Sequence, residues 1–476
     1  MKKMLYIIVG ILSLALYSCK ENPANPNIPP NTVLTNIPPE NDSTNPYFPI
    51  LEIYWKGKDT DGFIKGYEYR YTTRHLCRGD SFYTTWTFTE AGHDTIIFES
   101  SDTLNLQRFM VRAVDNNGDC DPTPAKRFFY TPLVVAPETE ISSPQDGDTF
   151  FVLLSPSDWW EGVPLMFTGY DPDPGGAVVD YSYKVDSKPW SDWQKDTSVV
   201  LVPSDFDSLS GPHTVMVKSR DNTGIEDPTP AEVGFVLLLP SMERSMLLVD
   251  DTKDGGGGPG NPTDEQVDDF YASILGGYEY DEWDLSDSNL TKAALANHRI
   301  VFWHADHKSY QEHNVFNYID LLQEYLNVGG KLFLGGWKVL YNAADTSAFP
   351  DVFLSGSFVY DYLHIRSADE DDYFLGDFLG ATGVCSLAVD VNKLYSPMST
   401  ALTNVCVLLE GAFTEPILYY ESLSDDSEFD GKPCGIFYRG TVYDVVFFGF
   451  PLYYIEEDDA REFVNIILAE LLGTYK

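Results

Sequence analysis

Three groups of residues in this sequence have types and spacing that could do chemistry. Asp250 and Asp251 close the apolar run MLLV, and His304, Asp306 and His307 close the run IVFW. If both runs are neighbouring strands of a parallel sheet, these side chains gather at its carboxyl edge, where open α/β sheets take their ligands. Histidine and aspartate there could hold a metal or line a metal-free pocket, or the histidines could simply bond local carboxylates. The second group is two sets of aspartates: Asp59, Asp61, Asp115 and Asp119, with Asp121 beside them, and Asp171, Asp173, Asp221 and Asp227. Calcium takes about six to eight oxygen ligands, which clustered carboxylates supply. Aspartates in segments such as DTDG or DNNG also make side-chain turns without any ion. The third is Cys19, which follows a basic start (Lys2, Lys3) and the apolar stretch Met4–Tyr17.

A fourth segment has the look of a phosphate cradle and fails the test. DGGGGPGNPTDE lies between a strand and a helix start, which is where phosphates bind. It has neither G-x-G-x-x-G nor the lysine-serine pair of a P-loop. Asp250, Asp251 and Asp254 would repel an anion. It reads as a surface loop.

The edge residues need a sheet to position them, and the second half of the chain has its pattern. Ser245–Asp250 is a continuous apolar strand of the buried parallel type. Thr263 and Gln266 form a capping box, and Val267, Phe270 and Ile274 stripe the helix behind it. YEYDEWDL is a second strand and Ile300–His304 lies in a third. Val315, Ile319, Leu322 and Leu326 stripe a helix that Gly329 and Gly330 end. KLFL is a fourth strand, followed by Gly335, Gly336 and Trp337. Strands separated by helices predict right-handed crossovers and a doubly wound sheet, in which a 2-1-3-4 order makes the edge residues neighbours. KPCGIFYRGTVYDVVFFGF predicts a hairpin, and IEEDDAREFVNIILAELLG a helix with acid at its N-terminus.

The aspartate loops sit in a different architecture. VRAVDNNGDCDPTPAKRFF from Val111 recurs as VKSRDNTGIEDPTPAEVGF from Val217, an offset of 106 residues. Short alternating strands such as YEYRY, cut by Asp/Gly/Pro turns, predict tandem β-sandwiches. In the first, strands near Leu51–Lys56, Ile64–Thr73 and Leu106–Asp115 would bring the aspartate loops to one end. Cys77 would then lie a strand length of roughly 33 Å from Cys120, too far for a bond. Trp159, Trp160, Trp190 and Trp193 could form a sugar platform or fill and cap the sandwich.

Lys plus Arg number 31 against 73 Asp plus Glu, a net charge of −42. That excess repels nucleic acid and excludes it as a partner. The apolar start is shorter than the roughly 20 residues of a membrane span, so it reads as a secretory signal. The Pro/Asn-rich segment after Cys19 suits an extended tether.

Resemblances add to this reading. LYSC resembles the lipobox of bacterial lipoproteins, in which Cys19 would be acylated and hold the chain to the membrane. Lys20, where inner-membrane retention signals often carry Asp, implies the outer membrane or cell surface. Both repeats resemble immunoglobulin-like or fibronectin type III-like modules. Met246–Leu340 resembles the class I glutamine amidotransferase-like, flavodoxin-like fold, and Val445–Leu472 does so loosely. The catalytic members would carry a nucleophilic cysteine where Trp337 stands and a base and carboxylate near Phe450 and Leu452, so the resemblance implies a domain without the Cys-His-Glu relay. The expected organisation is a signal (1–18), a tether (19–30), two sandwiches (31–135 and 136–240) and an α/β domain (241–476). Two functions follow: a lipid-anchored, non-catalytic envelope protein meeting envelope proteins or glycans, or an envelope hydrolase, glycan-directed, using the edge carboxylates and histidines. No cofactor other than calcium is implied.

Overall fold

The computed structural model describes residues 26–37, 39–155, 160–394, 399–411 and 413–473. Cys19, with the signal before it, and Trp159 lie outside the described residues.

The first half is all β. In the first module, strands Asn31–Asn36, Ile50–Lys58 and His93–Ile97 form one sheet, and Ser81–Tyr83, Ile64–His75, Leu104–Asp115 and Ala125–Pro132 run through the other. Alternation decides the core: Ile53 and Trp55 face Phe109 and Val111 across the gap, all at most 1% exposed. The second module repeats the plan with three strands against four. Val163, Leu165 and Phe167 meet Val215, Val217, Phe235 and Leu237. Both modules are thus two-sheet sandwiches. The first begins a little before residue 31, because Asn27 and Ile28 already bond its loops.

The second half is built on one nine-stranded sheet. Numbered within this domain, its strands are β1 Arg244–Asp250, β2 Asp281–Asp284, β3 His298–Ala305, β4 Lys331–Gly336, β5 Phe378–Gly383, β6 Ser386–Ala388, β7 Thr414–Ser422, β8 Pro433–Arg439 and β9 Asp444–Phe448. The order is β2-β1-β3-β4-β9-β8-β7-β5-β6. Pairing is parallel from β2 to β9 and antiparallel beyond. The parallel part has the expected 2-1-3-4 order and β8–β9 form the expected hairpin. The antiparallel extension was not expected. It is supplied by residues between Leu340 and Pro433, which also form a small separate sheet of Asp351–Val352, Ile365–Glu370 and Cys406–Glu410.

Besides a single helical turn at Phe358–Asp361, the helices are α1 Asp264–Ile274, α2 Lys292–Ala296, α3 Ile319–Asn327, α4 Val339–Ala343 and α5 Glu457–Leu471. They cover both faces, so successive residues of β1 enter different cores. Met246 and Leu248 pack with Val267, Ile274 and Phe463 of α1 and α5, while Leu247 and Val249 pack with Leu295, Leu322 and Leu326 of α2 and α3. Phe151 of the second sandwich also joins that latter core. The nearby Thr149 carbonyl accepts Lys292 Nζ at 2.8 Å, so this sandwich docks on α2. The five cysteines among the described residues are free thiols.

Candidate functional site

The register of the parallel strands builds the edge. Asp250 ends β1 opposite His304 of β3, and Ala305 lies opposite Gly336 of β4. Asp250 Oδ1 accepts the Thr252 N–H at 2.7 Å and lies 3.6 Å from His304 Nδ1. The same ring nitrogen is 3.1 Å from Asp306 Oδ2. Tyr271 of α1 donates its hydroxyl to that oxygen at 2.9 Å and stacks on His304 with centroids 3.8 Å apart. The Tyr453 N–H donates to Asp306 Oδ1 at 3.0 Å. Asp250, His304 and Asp306 are each at most 1% exposed.

Burial dominates the titration of this group. It pushes the Asp250 carboxyl up to about 7, against the His304 charge and the Thr252 N–H. Burial opposes charge on His304, but Asp250 and the Asp306 hydrogen bond outweigh it and raise the ring's pKa. Asp251 is also pushed up by burial, to about 6, although Asn314 N, Asn314 Nδ2 and Trp303 Nε1 all donate to it.

Two further acids join Asp250, and both come from α1. Asp250, Asp264 and Asp268 can each offer one carboxylate oxygen, all within 4.8 Å of one another. Among the described residues no other trio of His, Cys, Asp or Glu side chains meets that spacing. Burial, then Asp268 and Asp284, raise Asp264 to about 6. The sequence signal for these two was present but unread. They are four residues apart on the helix whose capping box was already legible, so they share its face. Thr263 and Gln266 do make both bonds of that box.

The remaining edge residues do not join them. His307 Nδ1 accepts the Lys253 N–H at 3.2 Å, and the ring packs edge-on against His313. Burial lowers both rings, His313 to about 3. Trp337 is 5% exposed, meets Tyr454 in a T-shaped contact and donates Nε1 to Thr403 O at 3.0 Å. It walls a cavity of about 800 Å³ with Lys308, Tyr373, Phe374, Leu402 and Asn404. Asp250 and Asp251 instead line a separate cavity of about 410 Å³ with Asp264, Ser286 and Asn314. The single edge pocket expected from Asp250 to Trp337 is therefore two, and His304 lines neither. The stacked Tyr271 ring and the Thr252 loop bury His304 instead. At the expected nucleophile and base positions, Trp337 fills the turn, and Phe450 and Leu452 are fully buried in the core.

Each sandwich aspartate meets a donor from its own chain, while the Oδ2 atoms of Asp59, Asp171, Asp221 and Asp227 are buried without a partner among the described residues. In the first module Asn27 Nδ2 donates to Asp115 and Asp119, Ile28 N to Asp61, and Thr32 N to Asp121. Asp59 Oδ1 accepts the Asp61 N–H. In the second, Val135 N donates to Asp173, while Asp171, Asp221 and Asp227 each cap a local turn. Here the Asx-turn geometry is explicit. The tryptophans are covered too. Lys218 lies over Trp190 and Trp193, Arg220 lies over Trp193, and Trp160 sits in the sandwich core.

No protein-family model matches this sequence, and no curated protein matches it. Among solved structures it is similar to the fibronectin(III)-like modules of Clostridium thermocellum CbhA, at 12% identity, 44% of this chain, 94% of that one and a TM-score of 0.21. It is similar to a β-galactosidase from the Antarctic haloarchaeon Halorubrum lacusprofundi at 17% identity, 48% of this chain and a TM-score of 0.31, spanning 30% of that chain. The FN1–FN3 domains of chicken CNTN1 match at 13% identity, 44% of this chain, 65% of that one and a TM-score of 0.16. The sandwich fold itself is carried by the strand pairings described above. The chain is a pair of all-β sandwich modules followed by an α/β unit.

Proposed function

We propose that this is a lipid-anchored, non-catalytic protein of the bacterial cell envelope, in which two fibronectin type III-like modules carry a degenerate class I glutamine amidotransferase-like domain that binds rather than transforms its ligand. One observation carries the non-catalytic part. At the turn after β4, where a nucleophile would stand, the buried ring of Trp337 is fixed by Thr403, and Phe450 and Leu452 offer no base. What the domain retains is a cavity of about 800 Å³ beside that ring, of the size and mixed character that take small ligands. Phe374, 97% exposed, and Tyr373, 45% exposed, stand on its wall, and an aromatic wall suits an envelope glycan or an apolar segment of an envelope protein. The test is an assay of purified protein for ammonia release from glutamine together with binding of envelope glycan fragments. Binding that Phe374→Ala weakens, without glutaminase activity, is the expected result; glutamine turnover overturns the reading.

A second reading, a glycan-directed envelope hydrolase, is favoured by Asp250 and Asp264. Their carboxyls are held near 7 and 6 beside an open cavity, as a general acid requires. Hydrolysis of glycan fragments lost in Asp264→Asn would establish it; hydrolysis absent from the unaltered protein rejects it.

A further inference from the structure

The cavity of about 800 Å³ beside Trp337 does not end at its aromatic wall. Tyr373, Phe374 and Leu375 also line a second cavity of about 510 Å³, whose other residues include Asp377, Ser424, Asp426 and Ser427. The two hollows therefore flank one ridge, formed by Tyr373, Phe374 and Leu375. The ridge side chains stand in water: Tyr373 is 45% exposed, Phe374 97% and Leu375 48%. Its backbone, by contrast, is held. The Gly376 N–H and the Thr403 hydroxyl both donate to Tyr373 O, each at 2.9 Å. The Ser399 hydroxyl donates to Leu375 O at 2.6 Å, and the Tyr373 ring meets Phe429 in a T-shaped contact. Neighbouring apolar side chains exposed on a fixed turn make a preformed surface, which marks an interaction site and lowers the ordering cost of binding.

We propose that an extended, uncharged glycan chain lies across this ridge and fills both cavities, an inference that rests on reading the Trp337 cavity as a binding site. A chain is needed because the ridge divides the two hollows. A sugar ring has an apolar C–H face and a rim of hydroxyls that both donate and accept. The face suits the Phe374 ring. The rim needs polar side chains on either side, and these are present. Asn261 and Lys308 line the larger cavity, where Lys308 Nζ stands 5.3 Å from the Trp337 ring centroid. Ser424 and Asp426 line the smaller one. A peptide suits the ridge less well, since its amides would lose water there without partners. Strand addition would need a free edge, and β5, which follows the ridge, is already paired on both sides. Charge excludes an acidic polymer. Asp372, Asp377 and Asp426 line the hollows against Lys308, on a chain of net charge −42.

The experiment is calorimetric titration of the full chain in detergent with cello- and malto-oligosaccharides, from disaccharide to hexasaccharide. Galacturonate oligomers of the same lengths and a proline-rich peptide are titrated beside them. The unaltered protein is compared with Phe374→Ala and Asp426→Ala, both at exposed positions outside the core. The expected result is neutral-glycan binding that tightens by at least about tenfold from disaccharide to hexasaccharide, as the second cavity fills. Phe374→Ala should weaken the hexasaccharide by at least about tenfold, the scale of an aromatic anchor. Asp426→Ala should weaken the hexasaccharide and leave the disaccharide, which the larger cavity holds alone, unchanged. Affinity independent of chain length, or a hexasaccharide indifferent to Asp426→Ala, overturns this inference and leaves the Trp337 cavity as a site for short ligands. Galacturonate oligomers bound more tightly than neutral ones overturn the uncharged assignment. Binding of the peptide in place of any glycan overturns the ligand class. Binding of none of these probes overturns the inference together with the glycan reading of the cavity.

Discussion

Trp337 Nε1 donates to the Thr403 carbonyl at 3.0 Å, tying the turn after β4 to the segment that leads into strand Cys406–Glu410 of the small three-stranded sheet. The two preceding glycines make this placement feasible. A Cβ on Gly335 would lie 1.9 Å from Phe448, and one on Gly336, at φ +149°, 2.3 Å from Ala305 O. The backbone therefore passes tightly between β3 and β9 and delivers the indole over the sheet edge. Trp337→Ala removes a ring that is 5% exposed, along with its hydrogen bond. It should destabilise the α/β domain by about 3–5 kcal/mol. Chemical denaturation followed by tyrosine fluorescence and circular dichroism measures this. A variant as stable as the parent would show that the ring serves only as a wall for ligand.

The sandwiches and the parallel half of the α/β sheet were legible because their patterns are local. Alternation in YEYRY, the capping box at Thr263 and the glycines after Asn327 each fix an element from a few neighbouring residues. The antiparallel extension was not legible. Its strands β5 and β7 are separated by residues 384–413, a stretch of loops and minor strands, and nothing within either strand names its partner. The acid site was half legible for a similar reason. Asp250 and His304 were visible at strand ends, but Asp264 and Asp268 went unread, because acids in the first turns of a helix ordinarily just face its dipole. Only the packing of α1 beside β1 turns them towards Asp250. Burial of His304 could not be read either, because it depends on Tyr271 stacking from a helix thirty residues earlier.

Docking of the second sandwich on α2 predicts a coupled unit. Phe151 is 3% exposed and packs among α/β residues such as Leu295 and Ala296. Phe151→Ala should cost about 3–5 kcal/mol of the interaction and leave the connection near Pro240–Glu243 open to protease. Limited proteolysis followed by mass spectrometry reports the cut site. Resistance equal to the parent's would mean that the Lys292–Thr149 bond and the chain connection suffice.

The anchor is tested by Cys19→Ser. The residue follows LYS at the end of the apolar start, where a lipoprotein signal would place its acylated cysteine. Stable anchoring takes more than one acyl chain, which serine cannot receive by the same thioether chemistry. The variant should move to the soluble envelope fraction on immunoblots. Unchanged retention in the membrane pellet would count against the lipid anchor.

The last prediction concerns Asp371, which lies far from the acid trio in the sequence. It is fully buried and accepts from Asn404 N at 3.1 Å, Val405 N at 3.0 Å and the Tyr420 hydroxyl at 3.0 Å. Burial nevertheless wins and pushes its carboxyl from 3.8 up to about 6. A carboxyl raised on folding binds its proton more tightly in the folded state. Its contribution to stability is complete below about pH 4 and is lost as pH rises through about 6. The rise from 3.8 to about 6 corresponds to roughly 3 kcal/mol. Asp371→Asn cannot titrate there, and the acceptor it loses costs the same at every pH in this range. The parent's melting temperature minus the variant's should therefore shrink as pH goes from 4 to 7, since all other titrating groups are common to both. Thermal melts in a buffer series measure the difference. A gap that is constant or widens with pH would mean that the three donors hold Asp371 as a stable anion, and that hydrogen bonding outweighs burial at this site.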